Sequence, residues 1–245
     1  MSHLAQVTIG WSVAERQTLG RSPLLADLKT STADHLLAHA ERLGIVRPTL
    51  LFSPDSPSQA LHILIKGEVR LLGPDGLFLD LVQPGQSFGE TAVLGAHALA
   101  LAAQAQTGAV IARLPRAVVL EAIERDCGFA LALMRALAAW CESHRQDIHD
   151  LRRLNPSERL ARFLVRNSHA PGRQGQRLPM RKRALAERLG MTPESLARAI
   201  TRLAEHGVKR AGENRIAITD RAALCRYAGL PPSAESGDAP HAQAA

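Results

Sequence analysis

Apolar positions in residues 181–206 recur at helical spacing on both sides of Gly190, which predicts two short helices joined by a glycine turn. Gly190 suits the turn because a residue without Cβ tolerates a positive φ at little cost. Thr192 is a good N-cap for the second helix, and Pro193 falls at the first helical position, where its missing N–H costs nothing. The apolar positions are Leu185, Ala186, Leu189, Leu196, Ala199, Ile200 and Leu203. They predict a helix-turn-helix, although an ordinary helical hairpin has the same spacing.

The residues after Gly207 predict a β-hairpin. Residues 208–210 and 215–219 flank a polar turn, and Ile216 and Ile218 alternate with smaller or polar neighbours. A helix-turn-helix followed directly by a hairpin is a winged helix.

Upstream, the apolar spacing changes from helical to alternating. Between residues 45 and 114, short apolar runs are separated by turns that contain Gly67, Gly76 and Gly85. Several short strands at such intervals predict a β-sandwich or barrel rather than a parallel sheet.

Two stretches that flank these strands have helical spacing. Residues 23–43 predict a helix that begins near Thr32, and residues 117–154 predict a longer one with a break near Cys127. In the longer helix, one set of positions repeats at intervals of four and three, as in a coiled coil. The set is Leu133, Leu137, Trp140, His144, Asp147, Leu151 and Leu154. It predicts a dimer seam; packing of the helix on its own barrel is the alternative.

Charge is distributed unevenly along the 245 residues. Residues 1–121 carry 9 Lys and Arg against 10 Asp and Glu, residues 122–155 carry 5 against 5, and residues 156–230 carry 16 against 6. Localised basic charge favours a polyanionic partner, because neutralising backbone phosphates releases counterions. We therefore predict that the last of these segments binds double-stranded DNA.

Other features of the chain predict its compartment. There is no run of about 18 apolar residues, so we expect no membrane span. The first residues lack a basic segment followed by an apolar one, so we expect no secretion signal. The cysteines, Cys127, Cys141 and Cys225, match neither a zinc spacing nor a disulfide framework. We expect a cytoplasmic protein with reduced thiols.

The order of these elements, together with two motifs, resembles a family of bacterial transcription factors. The motifs are IKGEVRLLGPDG with LVQPGQSFGE in the strands, and LAERLGMTPESLARAITRLAEHGV in the winged helix. They are similar to those of the cyclic-AMP receptor protein and fumarate–nitrate regulator (CRP/FNR) family, over about residues 22–229. The resemblance implies an α+β fold, with a cyclic-nucleotide-binding-like β-roll (jelly roll) in residues 22–121. It implies a dimerisation helix in 122–155 and a winged helix-turn-helix in 156–230, and the proline-rich residues 231–245 predict a disordered tail.

The resemblance also implies DNA contacts on the second helix of the helix-turn-helix. Family members read bases at the positions that match Glu194 and Arg198, which lie one turn apart. Arginine pairs with guanine O6 and N7, and glutamate accepts a hydrogen bond from cytosine N4. Stabilisation of the helix N-terminus is a second role for Glu194. Phosphate contacts are expected from Thr192, Ser195, Arg202, Lys209 and Arg210.

The partners implied by the resemblance are a palindromic operator, a second copy of the chain and, for an activator, RNA polymerase. The recognition helix is similar to that of the dissimilatory nitrate respiration regulators, which implies a TTG-type half-site.

An effector pocket is implied in the β-roll at Glu90, His97, Leu99 and Ala100. The cyclic-AMP branch binds the phosphate with an Arg-Ser pair, where Leu99 and Ala100 align here, and burying a phosphate against them is unfavourable. We therefore expect Glu90 to be structural and the effector not to be cyclic AMP (cAMP). Three scattered cysteines do not suit an Fe–S cluster. A flat apolar ligand, a haem held by His97, or no ligand remains.

Three functions are compared on this basis. The leading hypothesis is a homodimeric, sequence-specific transcription regulator that responds to an effector through its β-roll. A regulator that binds DNA without a ligand, with a vestigial sensor domain, is the alternative. A metal-dependent enzyme on the β-roll would need clustered ligands, whereas His62 and His97 are isolated, and we expect His62 to face solvent or a partner hydroxyl. We therefore do not expect an enzyme.

Overall fold

The computed structural model of this chain describes residues 5–8, 10–56, 58–73, 76–95, 101–167, 176–177, 182–212 and 215–231. The chain divides into two units, Met1–Ala138 and Ala139–Ala245. The boundary falls inside the longest helix of the described residues, Cys127–Arg153.

The first unit is built from antiparallel strands with helices at both ends of their sequence. Its described strands are β1 (Ala5–Thr8), β2 (Glu41–Ile45), β3 (Thr49–Phe52), β4 (Ala60–Lys66), β5 (Val69–Leu72), β6 (Phe78–Val82), β7 (Ser87–Phe88), β8 (Ala102–Ala105) and β9 (Val110–Pro115). Its described helices are α1 (Val13–Gly20), α2 (Thr30–His39), α3 (Glu90–Leu94), α4 (Arg116–Arg125) and the start of α5 (Cys127–Arg153).

The strands form two antiparallel sheets, in the orders β1-β2-β9-β4-β7 and β3-β8-β5-β6. Buried side chains from both sheets form one core, which includes Phe52, Leu64, Val69, Phe88 and Ile111. This architecture confirms the sandwich of strands predicted from alternating apolar positions and the β-roll that the resemblance implies.

A second core lies where the helices pack on the five-stranded sheet. It contains Leu19 of α1, Leu36 of α2, Leu61 and Ile63 of β4, and Phe129 of α5. Strand β4 is therefore covered on both faces, and every residue from its start to Ile65 is buried. Burial on two faces explains why its sequence is almost continuously apolar.

Two elements, β1 and α1, lie upstream of residue 22, where we predicted the β-roll to begin, and β1 pairs with β2. Helix α1 starts with a capping box, in which Ser12 Oγ accepts from the N–H of Glu15 and Glu15 Oε2 accepts from the N–H of Ser12. Arg42 of β2 donates to Glu15 Oε1 over 2.7 Å. This hydrogen bond is the main reason why the pKa of Glu15 is lowered to about 2.

The helix predicted to begin near Thr32 is present as α2, which spans Thr30–His39, but it ends before residue 43. Residues 41–43 belong to β2 instead, where Leu43 pairs with Ile111 of β9. Pairing with a distant strand overrides the local apolar spacing there.

The predicted break near Cys127 is confirmed and lies at Asp126, between α4 and α5. Asp126 Oδ1 accepts from the N–H of Gly128 over 2.9 Å, and Oδ2 accepts from the Thr32 hydroxyl over 2.7 Å. The hydrogen bond from Thr32 lowers the pKa of Asp126 more than any other contact does. The start of the long helix is therefore joined to α2 by a buried hydrogen bond.

The second unit contains the end of α5 and the elements predicted to form a winged helix. These are α6 (Pro156–Asn167), β10 (Gln176–Arg177), α7 (Lys182–Arg188), α8 (Pro193–Arg202), a 3₁₀ turn (Leu203–His206), β11 (Val208–Gly212), β12 (Arg215–Ile218) and α9 (Arg221–Ala228). The hairpin β11–β12 is confirmed, and β10 adds a third strand that we did not predict, in the order β10-β12-β11.

Within the described residues, no helix combines the length and apolar character that a membrane span requires. The predicted tail, residues 231–245, lies outside the described residues apart from its first position.

Candidate nucleic-acid interface

Local sequence determines how α8 is presented. Gly190 has φ +58°, as the predicted glycine turn requires. Thr192 is the N-cap, its hydroxyl accepts from the N–H of Ser195 over 3.2 Å, and Pro193 is at the first helical position. Leu196, Ala199 and Ile200 form the buried face. These contacts hold α8 against the rest of the winged helix and leave its other face to solvent.

The exposed face of α8 brings together the side chains predicted to contact DNA. Glu194, Arg198 and Arg202 are exposed and follow one another at intervals of four. The Arg198 guanidinium donates from Nη2 to Ser195 Oγ over 2.9 Å, and the Thr192 hydroxyl donates to the same oxygen over 3.3 Å. Thr192, Ser195 and Arg198 therefore form one hydrogen-bonded cluster at the start of α8, and Arg202 lies one turn further along the same face.

Glu194 is an ionised hydrogen-bond acceptor in this cluster. Its own backbone N–H, followed by the hydroxyl of Thr192, holds the pKa of its carboxyl below the usual value. A carboxylate that is ionised at neutral pH offers only acceptors, as pairing with an exocyclic amine requires.

The wing begins at Gly207, whose φ is +80°. The Gly207 carbonyl accepts from the N–H of Thr219 over 2.7 Å and from its hydroxyl over 3.1 Å, which closes the loop between α8 and the hairpin. Lys209 and Arg210 follow on β11 and are exposed. Arg210 lies close to α8, with Nη2 3.5 Å from the Ala197 carbonyl. The residues predicted to contact phosphates thus lie on both α8 and the wing.

The predicted dimer seam needs a correction at Leu133. This side chain is 1 % exposed and belongs to the core of the first unit, together with Phe129. Leu137 and His144 are half-buried, and Trp140 is 42 % exposed, with its ring 4.1 Å from that of His144. Leu133 cannot face a partner helix because it already packs against its own β-roll.

An exposed stripe of α5 lies one residue later in the heptad than the predicted seam. Its members are separated by four, three, four and three positions, which is again the spacing of a coiled coil. They are Met134, Ala138, Cys141, Arg145 and Ile148. Leu151, from the predicted set, is 45 % exposed but also lies against Gly190, where a Cβ would be 2.6 Å from its Cδ2 atom.

Of the predicted effector pocket, only Glu90 is described; His97, Leu99 and Ala100 lie outside the described residues. Glu90 is half-buried at the start of α3, directly after Gly89, which has φ +91°. Burial raises the pKa of its carboxyl, opposed by a hydrogen bond with Ser87.

The prediction that His62 faces solvent or a partner hydroxyl was wrong. His62 is 3 % exposed, and its ring stacks on Phe88 at 5.0 Å and lies 5.8 Å from the ring of Phe52. Burial lowers its pKa to about 3, so the ring is neutral. Its Nδ1 atom has no hydrogen-bond partner among the described residues. Alternation along β4 places it in the core between the sheets, a consequence of β4 being covered on both faces.

The metal-site alternative finds no further support in the side chains that the structure describes. Among them, no three His, Cys, Asp or Glu residues are grouped so that they could hold an ion.

Comparisons with known proteins match both units. Residues 47–126 match the cyclic nucleotide-binding domain family, and residues 158–227 match the Crp-like helix-turn-helix domain family. The transcriptional regulator LdrP of Thermus thermophilus is 32 % identical over 192 residues, which are 75 % of this chain and 94 % of that protein.

Two further relatives agree with this match. The cyclic AMP receptor protein of Thermus thermophilus is 28 % identical over 83 % of this chain and 95 % of its own length. The solved structure of a CRP-family transcriptional regulator from the same organism is 27 % identical, with a TM-score of 0.60 over 79 % of this chain and 98 % of that one. LdrP and the protein of the solved structure are both transcriptional regulators.

Proposed function

This chain belongs to the CRP/FNR family of transcriptional regulators, and from that premise we propose that it acts as a homodimer that reads a palindromic operator, one winged helix per half-site. The observation that carries the proposal is the exposed face of α8, where Glu194 and Arg198 lie beside the Thr192–Ser195 cluster in the basic part of the chain. An α-helix of this kind fits the major groove, where each base pair presents a distinct pattern of donors and acceptors.

Base reading is assigned to Glu194 and Arg198. The Arg198 guanidinium offers a planar pair of donors that matches guanine O6 and N7, and the ionised Glu194 accepts from cytosine N4. Because the two side chains are one turn apart, they reach neighbouring base pairs. Thr192, Ser195, Arg202, Lys209 and Arg210 surround them and bind phosphates, which positions the helix without specifying sequence.

Arg198→Ala is expected to weaken binding to the preferred operator by about 1–3 kcal/mol and to relax discrimination at one base position. Fluorescence anisotropy on duplexes substituted at each position measures both effects. Arg202→Ala is the matched comparison, since loss of a phosphate contact weakens binding to all sequences alike and reduces the salt dependence. If Arg198→Ala kept full discrimination at every position, Arg198 would not be a base-reading residue.

The dimer interface is assigned to the exposed stripe of α5. In a parallel pair of helices related by a two-fold axis, stripe residues meet their own copies across the seam. Met134, Ala138 and Ile148 supply apolar contacts, and Arg145 is the polar exception, paired with Glu142 of its own helix over 2.6 Å. Polar groups at single seam positions specify register and oligomeric state.

Cys141 provides a direct test of this register. It lies in the middle of the stripe and is exposed, so two copies would come within the Cα separation of about 4.4–6.8 Å that a disulfide requires. Mild oxidation of the purified protein is expected to give a disulfide-linked dimer on a non-reducing gel. The dimer should persist in Cys127→Ser and be absent in Cys141→Ser. Cross-linking that depended on Cys127 instead would contradict the assigned stripe.

The β-roll is the effector domain in this proposal, with the effector neither cAMP nor an Fe–S cluster. An effector can control DNA binding only if its affinity differs between two arrangements of the DNA-reading units. A flat apolar ligand such as haem remains our hypothesis for it.

A further inference from the structure

The last turns of α5 contact the winged helix through three side chains of the second unit, Asp147, Asp150 and Leu151. We refer to them, with the arginines and the glycine that they contact, as the α5 clamp. The contacts reach the helix-turn-helix at Arg188 and Gly190, and α6 at Arg162 and Arg166.

Asp150 is the centre of the clamp. It is 7 % exposed, and its carboxylate accepts from Arg162 Nη1 over 2.6 Å at Oδ1 and from Arg166 Nη1 over 3.3 Å at Oδ2. The same Arg162 donates from Nε to the Ala228 carbonyl at the end of α9, over 2.9 Å. One guanidinium therefore joins α5, α6 and α9. A planar fork with several fixed donors can do this, whereas an ammonium group cannot.

Two further contacts fix the orientation of the helix-turn-helix on α5. Arg188 Nη1 lies 2.9 Å from Asp147 Oδ2, an ion pair without the alignment of a hydrogen bond. Leu151 packs over Gly190, so closely that any Cβ at that position would overlap it.

The connection between α5 and α6, near Asn155 and Pro156, is braced as well. Arg159 donates to the Leu154 carbonyl over 3.0 Å and to the Gly190 carbonyl over 3.3 Å. These hydrogen bonds restrict the connection, so it is not a flexible linker.

From these contacts we infer that Asp150 and Arg162 are positioning residues, which hold each recognition helix at a fixed orientation on α5 and thereby select the spacing between the two half-sites of the operator. The inference rests on the proposed function, since spacing has meaning only for a dimer on a palindrome. One inserted base pair moves a half-site along the duplex by about 3.4 Å and rotates it by about 35°. A winged helix that is held rigidly on α5 cannot move to the displaced half-site, whereas a loosely held one can.

The test compares Asp150→Asn and Arg162→Lys with the wild-type protein. Asp150→Asn keeps the shape of the side chain but removes its charge, and Arg162→Lys keeps the charge but cannot bridge Asp150 and Ala228 together. The probe is the palindrome that the wild-type protein selects from a random pool of duplexes, remade with the half-sites one and two base pairs closer and further apart. Anisotropy gives the affinity for each spacing and for a duplex with a single half-site.

Glu187→Gln is the matched control. It removes one negative charge from the same basic unit, but the partner of Glu187 is Arg183 of its own helix, so no bridge between elements is lost. Circular dichroism and oxidative cross-linking at Cys141 establish that each variant is folded and dimeric. If Asp150→Asn does not fold, Arg162→Lys decides the result.

We expect the wild-type protein and Glu187→Gln to prefer one spacing by at least about tenfold over its neighbours, and the two clamp variants to retain no more than about threefold, with single half-site affinity unchanged. A spacing profile within twofold of wild type in a folded clamp variant overturns the inference and leaves the proposed function intact. If the wild-type protein selects no palindrome at all, the proposed function itself fails, and the inference with it.

Discussion

Phe129→Ala is expected to lower the free energy of unfolding of the first unit by about 3–5 kcal/mol, because a large buried side chain is removed and the surrounding core closes the cavity only in part. Phe129 is fully buried in the first turn of α5 and packs in the core formed by α1, α2 and β4. Together with the Asp126–Thr32 hydrogen bond, it attaches the start of α5 to the β-roll. The substitution should therefore also weaken the packing of α5 on the β-roll.

Urea unfolding measures this effect, with Trp11 as the probe of the first unit. Trp11 packs against the same core, and Trp140→Phe removes the other tryptophan of the chain. Leu77→Ala in the same unit is the control, since Leu77 is 57 % exposed and should shift the midpoint little. If the urea midpoint of Phe129→Ala were as close to the wild-type value as that of Leu77→Ala, Phe129 would not be packed in this core.

Gly207→Ala is expected to destabilise the second unit by about 2–5 kcal/mol, the sum of the cost of a left-handed backbone at a residue with Cβ and the cost of a steric overlap. Gly207 has φ +80°, and an added Cβ would lie 2.6 Å from the backbone N and O of Asp220. Backbone atoms at this distance cannot move aside as a side-chain tip can. Because the Gly207 carbonyl also holds Thr219, the wing should be displaced from α8, and specific DNA binding should be lost with it.

Gly229→Ala separates the two contributions within the same unit. Gly229 has φ +64°, but an added Cβ would meet only Arg162 Nη2, at the ordinary contact distance of 3.7 Å. In this variant, the free energy of unfolding falls only because alanine disfavours a positive φ, which costs about 1–2 kcal/mol. Unfolding of the second unit, followed by Trp140 in a Trp11→Phe background, compares the two. Equal destabilisation by both substitutions would show that the overlap at Asp220 is absent.

Several features of this protein could be predicted because their causes are local. Gly190, Thr192 and Pro193 specify a turn, a cap and a helix start within four residues, and the helix-turn-helix was predicted from them. Alternating apolar positions predicted the strands of the roll. Ser12 and Glu15 form a capping box that also has a sequence signature, so α1 could have been found and was overlooked.

The errors share another cause, which is that one residue pattern is compatible with two sets of neighbours. The apolar positions of α5 include some that pack on the β-roll, such as Leu133, and others that are exposed, such as Met134 and Ile148. Periodicity merges the two sets, and the predicted seam therefore included Leu133, which packs in the core of the first unit. His62 was misplaced for a similar reason, because a strand covered on both faces has no solvent side.

By itself, the amino-acid sequence determined the helix-turn-helix and the hairpin after it, the basic character of the DNA-binding segment and the residues on the exposed face of α8, since each depends on neighbours within a few turns of chain. Only the tertiary structure decided which face of α5 is exposed, where His62 lies and how Asp150 and Arg162 connect three helices. Those features depend on pairs of residues that are brought together by long-range packing, and the local spacing of apolar residues does not identify the distant partner.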